Sequence, residues 1–451
     1  MNPRSAAPRR TGARRAAPVI LAIDAMVLAL LLATGPAAFV WLDGSRPSPL
    51  VAVATGSPKP LPGGPVGTGT ATQAPSPIVP SVTPAPTATI TYGNGTWAPI
   101  PSMPRSLWGA SAAVLADGRV LVVGGSAGPS STSALDTVEV FDPASNSWAV
   151  AAPMLQERAY PAAATLADGS VLVVGGSRDC FPLDTAERYF PDTGTWVSAG
   201  VMSAPRTQAT ATVLLDGRVL VLGGGAQGSP GFASTNTAEI FDPATGTWTP
   251  TALMSTARAS HTATLLSDGE VLVAGGASTY HGPKGTVVAT AEIYDPKSAT
   301  WHSAARMSLA RYHHMAALLP DGRVLVAGGW ALTTNSDKSL ASAEIYNPAT
   351  NRWTATGSMA TGRARGSIAA LPDGRVLIVD GVDPAYRVMA TAEIWDSATG
   401  RWHLTGRLGT AVMWPALAVL QDGRVLLAGG ALDAVAAHET SVSTIFTPPA
   451  P

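Results

Sequence analysis

One cysteine, Cys180, serves a chain of 451 residues. No intrachain disulfide is possible, so the fold must hold by packing alone. Charge is scarce too: 13% of residues are Asp, Glu, Lys or Arg, against roughly 25% in ordinary soluble domains. With a net charge of −1 the chain offers no footprint for nucleic acid, and none is expected as a partner. Phosphate-cradling glycine loops, zinc-ligand spacings and nucleophilic triad motifs are missing, so no cofactor is expected. What is plentiful is glycine (46), proline (38) and small apolar residues. That mixture suits many short strands joined by tight turns, not helices.

The first ninety residues follow a different rule. Residues 1–17 hold five arginines and no acid, and an apolar stretch from Val19 to Leu42 follows. As a helix it would be roughly 36 Å long, enough to cross a hydrocarbon core of about 30 Å. We therefore divide the region into a basic cytoplasmic tail (1–17), a transmembrane signal anchor or signal peptide (18–42) and a Pro/Ser/Thr-rich disordered linker (43–90). The arginines predict an N-terminus in the cytoplasm and the remainder of the chain outside. Gly35-Pro36 leaves cleavage, and secretion, as the alternative. The linker has too little apolar surface to offset its ordering entropy.

From residue 91 a single plan recurs. Asp321-Gly322-Arg323-Val324-Leu325-Val326-Ala327-Gly328-Gly329 has near-copies at the turn aspartates Asp117, Asp168, Asp216, Asp268, Asp373 and Asp422, spaced by 48 to 53 residues. Each unit offers a Trp, a loop, a run of small residues, the Asp-Gly turn, an apolar run, a Gly-Gly pair, a variable loop and a Glu-Ile-Tyr/Phe-Asp-Pro strand. The turn signals give four strands per unit.

The glycine pair, the aromatic of the Glu strand and the Trp at this spacing resemble kelch repeats. The resemblance implies an all-β, seven-bladed kelch-type β-propeller over 91–451. Trp97 is an orphan ahead of the first unit, and the last unit ends near Phe446 without its Trp strand. Tyr92–Pro99 is therefore expected to close the last blade. Within a four-stranded meander the Asp-Gly and Asp-Pro turns share one face. The opposite face carries the varied loops Ser126–Asp136, Ser177–Asp184, Ala226–Asn236, Ala277–Ala289, Trp330–Leu340, Val382–Met389 and Ala431–Glu439, where recognition belongs.

Two rings follow from aligning the innermost strands. Ten residues before the turn stand Leu107, Arg158, Arg206, Arg258, Arg311, Arg363 and Val412. Five arginines at one mouth suit an anion, but six units also carry a Glu (Glu139, Glu187, Glu239, Glu292, Glu344, Glu393), and repeated ion pairing is the reading taken. Eight residues before the turn stand Gly109, Tyr160, Gln208, Ser260, His313, Arg365 and Trp414, different in every blade. An aromatic, a cation and hydrogen-bonding groups around one opening suit a sugar or a peptide end.

Seven kelch units after an export signal also resemble galactose oxidase and related copper-radical oxidases. That resemblance implies copper ligation by Tyr160, Tyr312 and His313. It departs at Gly109, where the linking cysteine would stand, and at the last histidine, which the family draws from a further domain. His314 should point to the other side of its strand. The expected function is protein or glycan binding through the loop face, with an envelope protein or extracellular glycan as partner. The oxidase and a purely structural spacer are the alternatives.

Overall fold

The computed structural model describes residues 90–449 except 92–94, 129–132, 229–230, 279–285, 333–336 and 435–437. The basic tail, the anchor and the linker up to residue 89 lie outside the described residues, as does Asn94 of the Asn94-Gly95-Thr96 sequon. Every named element is a strand. Seven antiparallel meander sheets form the seven blades, six of four strands and the closing one of five; in blades 2, 3 and 5 a separate two-stranded hairpin lies between the second and third strands.

Blade 5 shows how sequence becomes structure. Its strands are Met315–Leu318, Val324–Ala327, Ala343–Asn347 and Arg352–Ala355. The first hairpin turns at Asp321-Gly322: Gly322 takes a φ of +81° and its N–H donates to Leu319 O at 2.9 Å. Asp321 Oδ1 accepts the Arg323 N–H, and Oδ2 accepts Arg323 Nε at 2.7 Å. The second strand is buried at all four positions, as in every other blade. It is covered on both faces by neighbouring blades, so it reads as an unbroken apolar run, not an alternating one. The core is accordingly a series of interblade layers; one joins Val120, Val122 and Phe141 of blade 1 to Ala416, Leu426 and Ile445 of blade 7.

The outer-strand tryptophans staple blades together. Trp353 packs on Tyr346 with ring centroids 5.0 Å apart, while its Nε1 donates to Ala305 O of the preceding blade at 2.8 Å. Trp148, Trp196, Trp248, Trp301 and Trp402 make the same backward bond.

Closure follows the expected plan. Thr96–Ile100 pairs with Ser443–Thr447 as the outer strand of blade 7, and Ile90–Thr91 pairs with it in turn. The strand thus starts at Thr96, and Ile100 replaces Pro99 as its last residue. Since Thr96 lies opposite Thr447, the closing strand starts and the last strand ends on the turn face, while Ile90–Thr91 runs toward that face along the outer edge. The loop face is the other side.

Candidate functional site

The arginine ring is structural, as expected. Each of Arg158, Arg206, Arg258, Arg311 and Arg363 is fully buried and meets the glutamate of its own blade: Glu187 at 2.8 Å, Glu239 at 2.6 Å, Glu292 at 2.6 Å, Glu344 at 2.9 Å and Glu393 at 2.7 Å. Burial pulls each guanidinium below its ordinary pKa and the paired glutamate opposes the shift. Arg311 Nη1 also donates to Gly328 O and Ser342 O, tying the glycine pair to the third strand. The second glutamate oxygen accepts a backbone N–H of the incoming loop, Ser308 in the case of Glu344. With both partners occupied, these arginines leave no anion site.

The residues of the second ring do come together blade to blade, with a feature that alignment did not show. All seven of its residues lie in the left-handed region, with φ between 50° and 66°. The residue before each ring position pairs with the residue after the glycine pair of the same blade, for example Tyr312 with Trp330 and Ala364 with Val382. The chain must then reverse sharply into the innermost strand, and a left-handed residue does this. Ring residues are further linked blade to blade by backbone bonds: Gly109 N–H to Trp414 O, Tyr160 to Gly109 O, His313 to Ser260 O and Arg365 to His313 O, at 2.9–3.1 Å. Left-handed geometry costs a non-glycine residue about 1–2 kcal/mol, and six of the seven accept that cost. The seventh is glycine for a steric reason as well: a Cβ on Gly109 would stand 2.8 Å from Tyr160 Cε1.

The side chains divide the mouth into two walls. On one, Trp414 stacks on Trp108 (5.3 Å), meets Tyr160 edge-on (5.5 Å) and approaches His313 (6.2 Å). Arg365 is sandwiched between two indoles, 4.1 Å from Trp414 and 4.4 Å from Trp330, and Trp330 in turn packs on Tyr312 and Tyr386. Trp414 thus reaches from blade 7 across to blades 2, 5 and 6. On the other wall, Ser260 Oγ donates to Gln208 Oε1 at 2.7 Å and lies 3.2 Å from His313 Nε2. Burial, reinforced by the charge of Arg365, holds His313 well below its usual pKa and neutral.

Trp108, Trp330 and Tyr386 escaped the sequence reading. A signal for two of them existed: Trp108 directly precedes a ring position, and Trp330 directly follows a glycine pair.

Copper would be held by Tyr160, Tyr312 and His313, a donor set of two phenols and one imidazole that is incomplete. Tyr160 is edge-on to two indoles, Tyr312 is buried against Trp330, and His313 Nε2 lies against Ser260 Oγ. His314 indeed points away, into the seam between blades 4 and 5, where its Nε2 lies 3.0 Å from Thr262 Oγ1. Among the described residues no group of three or more His, Cys, Asp or Glu converges.

The Kelch motif family model matches residues 109–155, 158–203, 258–308 and 311–360. A kelch-like protein of Aspergillus terreus is 31% identical over 115 residues, 25% of each chain. A putative F-box/kelch-repeat protein of Arabidopsis thaliana is 34% identical over 94 residues, 20% of this chain and 26% of that one. The matches thus span about a quarter of the length of these relatives. Among solved structures, a fungal alcohol oxidase of the AA5 family in complex with copper superposes with a TM-score of 0.63 at 18% identity, covering 79% of this chain and 76% of its own. The structure of YjhT gives 0.53 at 16% identity, covering 68% of this chain and 99% of its own. At these identities the likeness concerns the fold.

Proposed function

We propose that this chain, a seven-bladed propeller carrying kelch motifs, is a recognition module whose binding site is the channel mouth on the loop face, and that its partner is an envelope protein or an extracellular glycan. One observation carries the reading. In a molecule that repeats most of its structural devices from blade to blade, six different non-glycine side chains occupy left-handed positions where glycine would fit at less cost. Strain of this kind persists where the surrounding structure holds it for a purpose. The purpose proposed is a fixed arrangement of flat apolar rings beside a hydrogen-bonded amide, hydroxyl and imidazole. Such a surface suits a sugar ring, which stacks by one face and hydrogen-bonds by its edge, or the end of a peptide.

The location belongs to the same proposal. Residues 18–42 tether the chain to a membrane, the arginine-rich tail stays in the cytoplasm, and the linker carries the propeller outside.

The test is capture of fractionated polysaccharides and envelope proteins by the immobilised full chain, with and without copper. Saturable, copper-independent binding in one fraction is expected. Hydrogen peroxide production that depends on added copper would instead favour the oxidase, and no saturable binding with no copper uptake would leave a spacer.

A further inference from the structure

Blade 1 breaks the ion-pair rule that blades 2 to 6 obey. Its third strand keeps the glutamate, Glu139, but Leu107 stands where the arginine should be, and both are 1% exposed. Glu139 Oε2 is buried without a hydrogen-bond partner. The adjacent strands set Val122 and Val150 opposite it, and neither can answer a charge. From the incoming loop, Arg105 acts on the carboxylate through its backbone N–H and its charge, although its side chain lies in solvent. It is the one charged group acting on Glu139 among the described residues.

The same loop has two further duties. Met103 N–H donates to Ser441 O and Leu107 N–H to Thr440 O, joining blade 1 to blade 7 across the closing seam. It then delivers Trp108 to the mouth, where that indole stacks on Trp414 and donates to Gly128 O.

We propose that Glu139 is a proton-operated latch on the loop Met103–Trp108: protonated, it lies neutral in apolar surroundings and the loop stays docked; ionised, it places an unmatched charge under the loop and loosens it. Burial outweighs Arg105 and lifts the carboxyl to about 7, so the latch operates around neutrality. The proposal stands whatever the mouth binds.

The sign follows from linkage. A carboxyl whose folded pKa is raised stabilises the fold below its unfolded value of 4.5 and loses that contribution as pH rises through about 7. Urea unfolding and amide hydrogen exchange of the full chain at pH 5 to 9 test it, beside Glu139→Gln and Leu107→Arg. For the unsubstituted chain the folding constant should gain a falling component of about two decades over this range, with faster intrinsic-rate-corrected exchange at 103–108 at pH 8 than at pH 6. Glu139→Gln, a permanent mimic of the protonated acid, should remove both effects. Leu107→Arg should restore protection at pH 8 by supplying the missing guanidinium. A Glu139→Gln slope equal to that of the unsubstituted chain, or exchange at 103–108 indifferent to pH, overturns the proposal even if Leu107→Arg does not fold.

Discussion

Trp97 and Phe446 face each other in register across the seam between the first and last strands of the propeller, with ring centroids 5.0 Å apart. This pair reproduces, between the two ends of the domain, the aromatic contact that other blades make within one hairpin. It is also where the ring is closed without an exposed interblade edge.

Removing residues 91–100 should therefore lower the melting temperature of the full chain sharply, and Trp97→Ala alone should cost about 3–5 kcal/mol. Urea unfolding of the two variants measures this. An unchanged melt after the deletion would contradict closure by this strand.

The buried ion pairs make a second prediction. Arg258→Ala strands Glu292 without its guanidinium and should cost about 3–5 kcal/mol. The double change Arg258→Val with Glu292→Thr installs what blade 7 already carries at Val412 and Thr444, one residue in each of the two positions. It should cost distinctly less than the single change, which denaturant midpoints will show.

Histidines give the chain an acid limit. His261 and His314 are buried in neighbouring seams, bonded to Thr210 and Thr262. Burial, with Arg258 opposing charge, holds His261 down to about 3, and His314 lies well below its usual value. Their contribution is complete above the unfolded value of 6.5 and is lost as pH falls from there toward about 3, because the unfolded chain takes the protons first. His261→Gln should flatten the fall of stability between pH 6 and 4, opposite in sign to the Glu139 contribution, which overlaps it above about pH 4.5.

Left-handed strain should be measurable at the ring. Gln208→Gly removes a cost of about 1–2 kcal/mol and one hydrogen bond from Ser260 worth about 1 kcal/mol, so its stability should stay within about 1 kcal/mol of the parent. Gln208→Val keeps the strain and adds β-branching, and should be clearly less stable in urea.

Much of this architecture was legible in the chain because the repeat copies it seven times. The Asp321-Gly322 turn, the buried run Val324–Ala327 and the Trp353 strand each have counterparts at fixed spacing, and one strand order satisfies them all. The members of the mouth ring were legible for the same reason. Their backbone was not: φ near +50° at Tyr160 or His313 is imposed by pairing of the preceding residue across its blade, a tertiary constraint with no local residue signal. Nor could spacing show that Trp414 would span the opening to Tyr160 and Arg365, since that contact joins blades far apart in sequence. Asp380 illustrates a different limit. It replaces the first glycine of its pair and still adopts φ +59° while fully buried. Burial raises its carboxyl well above the usual range against the opposing effects of Ser367 and Arg363. Nothing in the structure explains why blade 6 keeps an acid there.

The most direct test of the mouth as a recognition site compares saturable binding of the captured glycan or envelope-protein fraction by the full chain and by the variant His313→Ala, Arg365→Ala, Trp414→Ala, with urea unfolding run on both to confirm that the propeller persists. The account predicts a loss of affinity of at least about 30-fold, the scale of a buried aromatic hot spot, with the fold retained. Undiminished binding by a folded variant would contradict it and move the site to the outer loops.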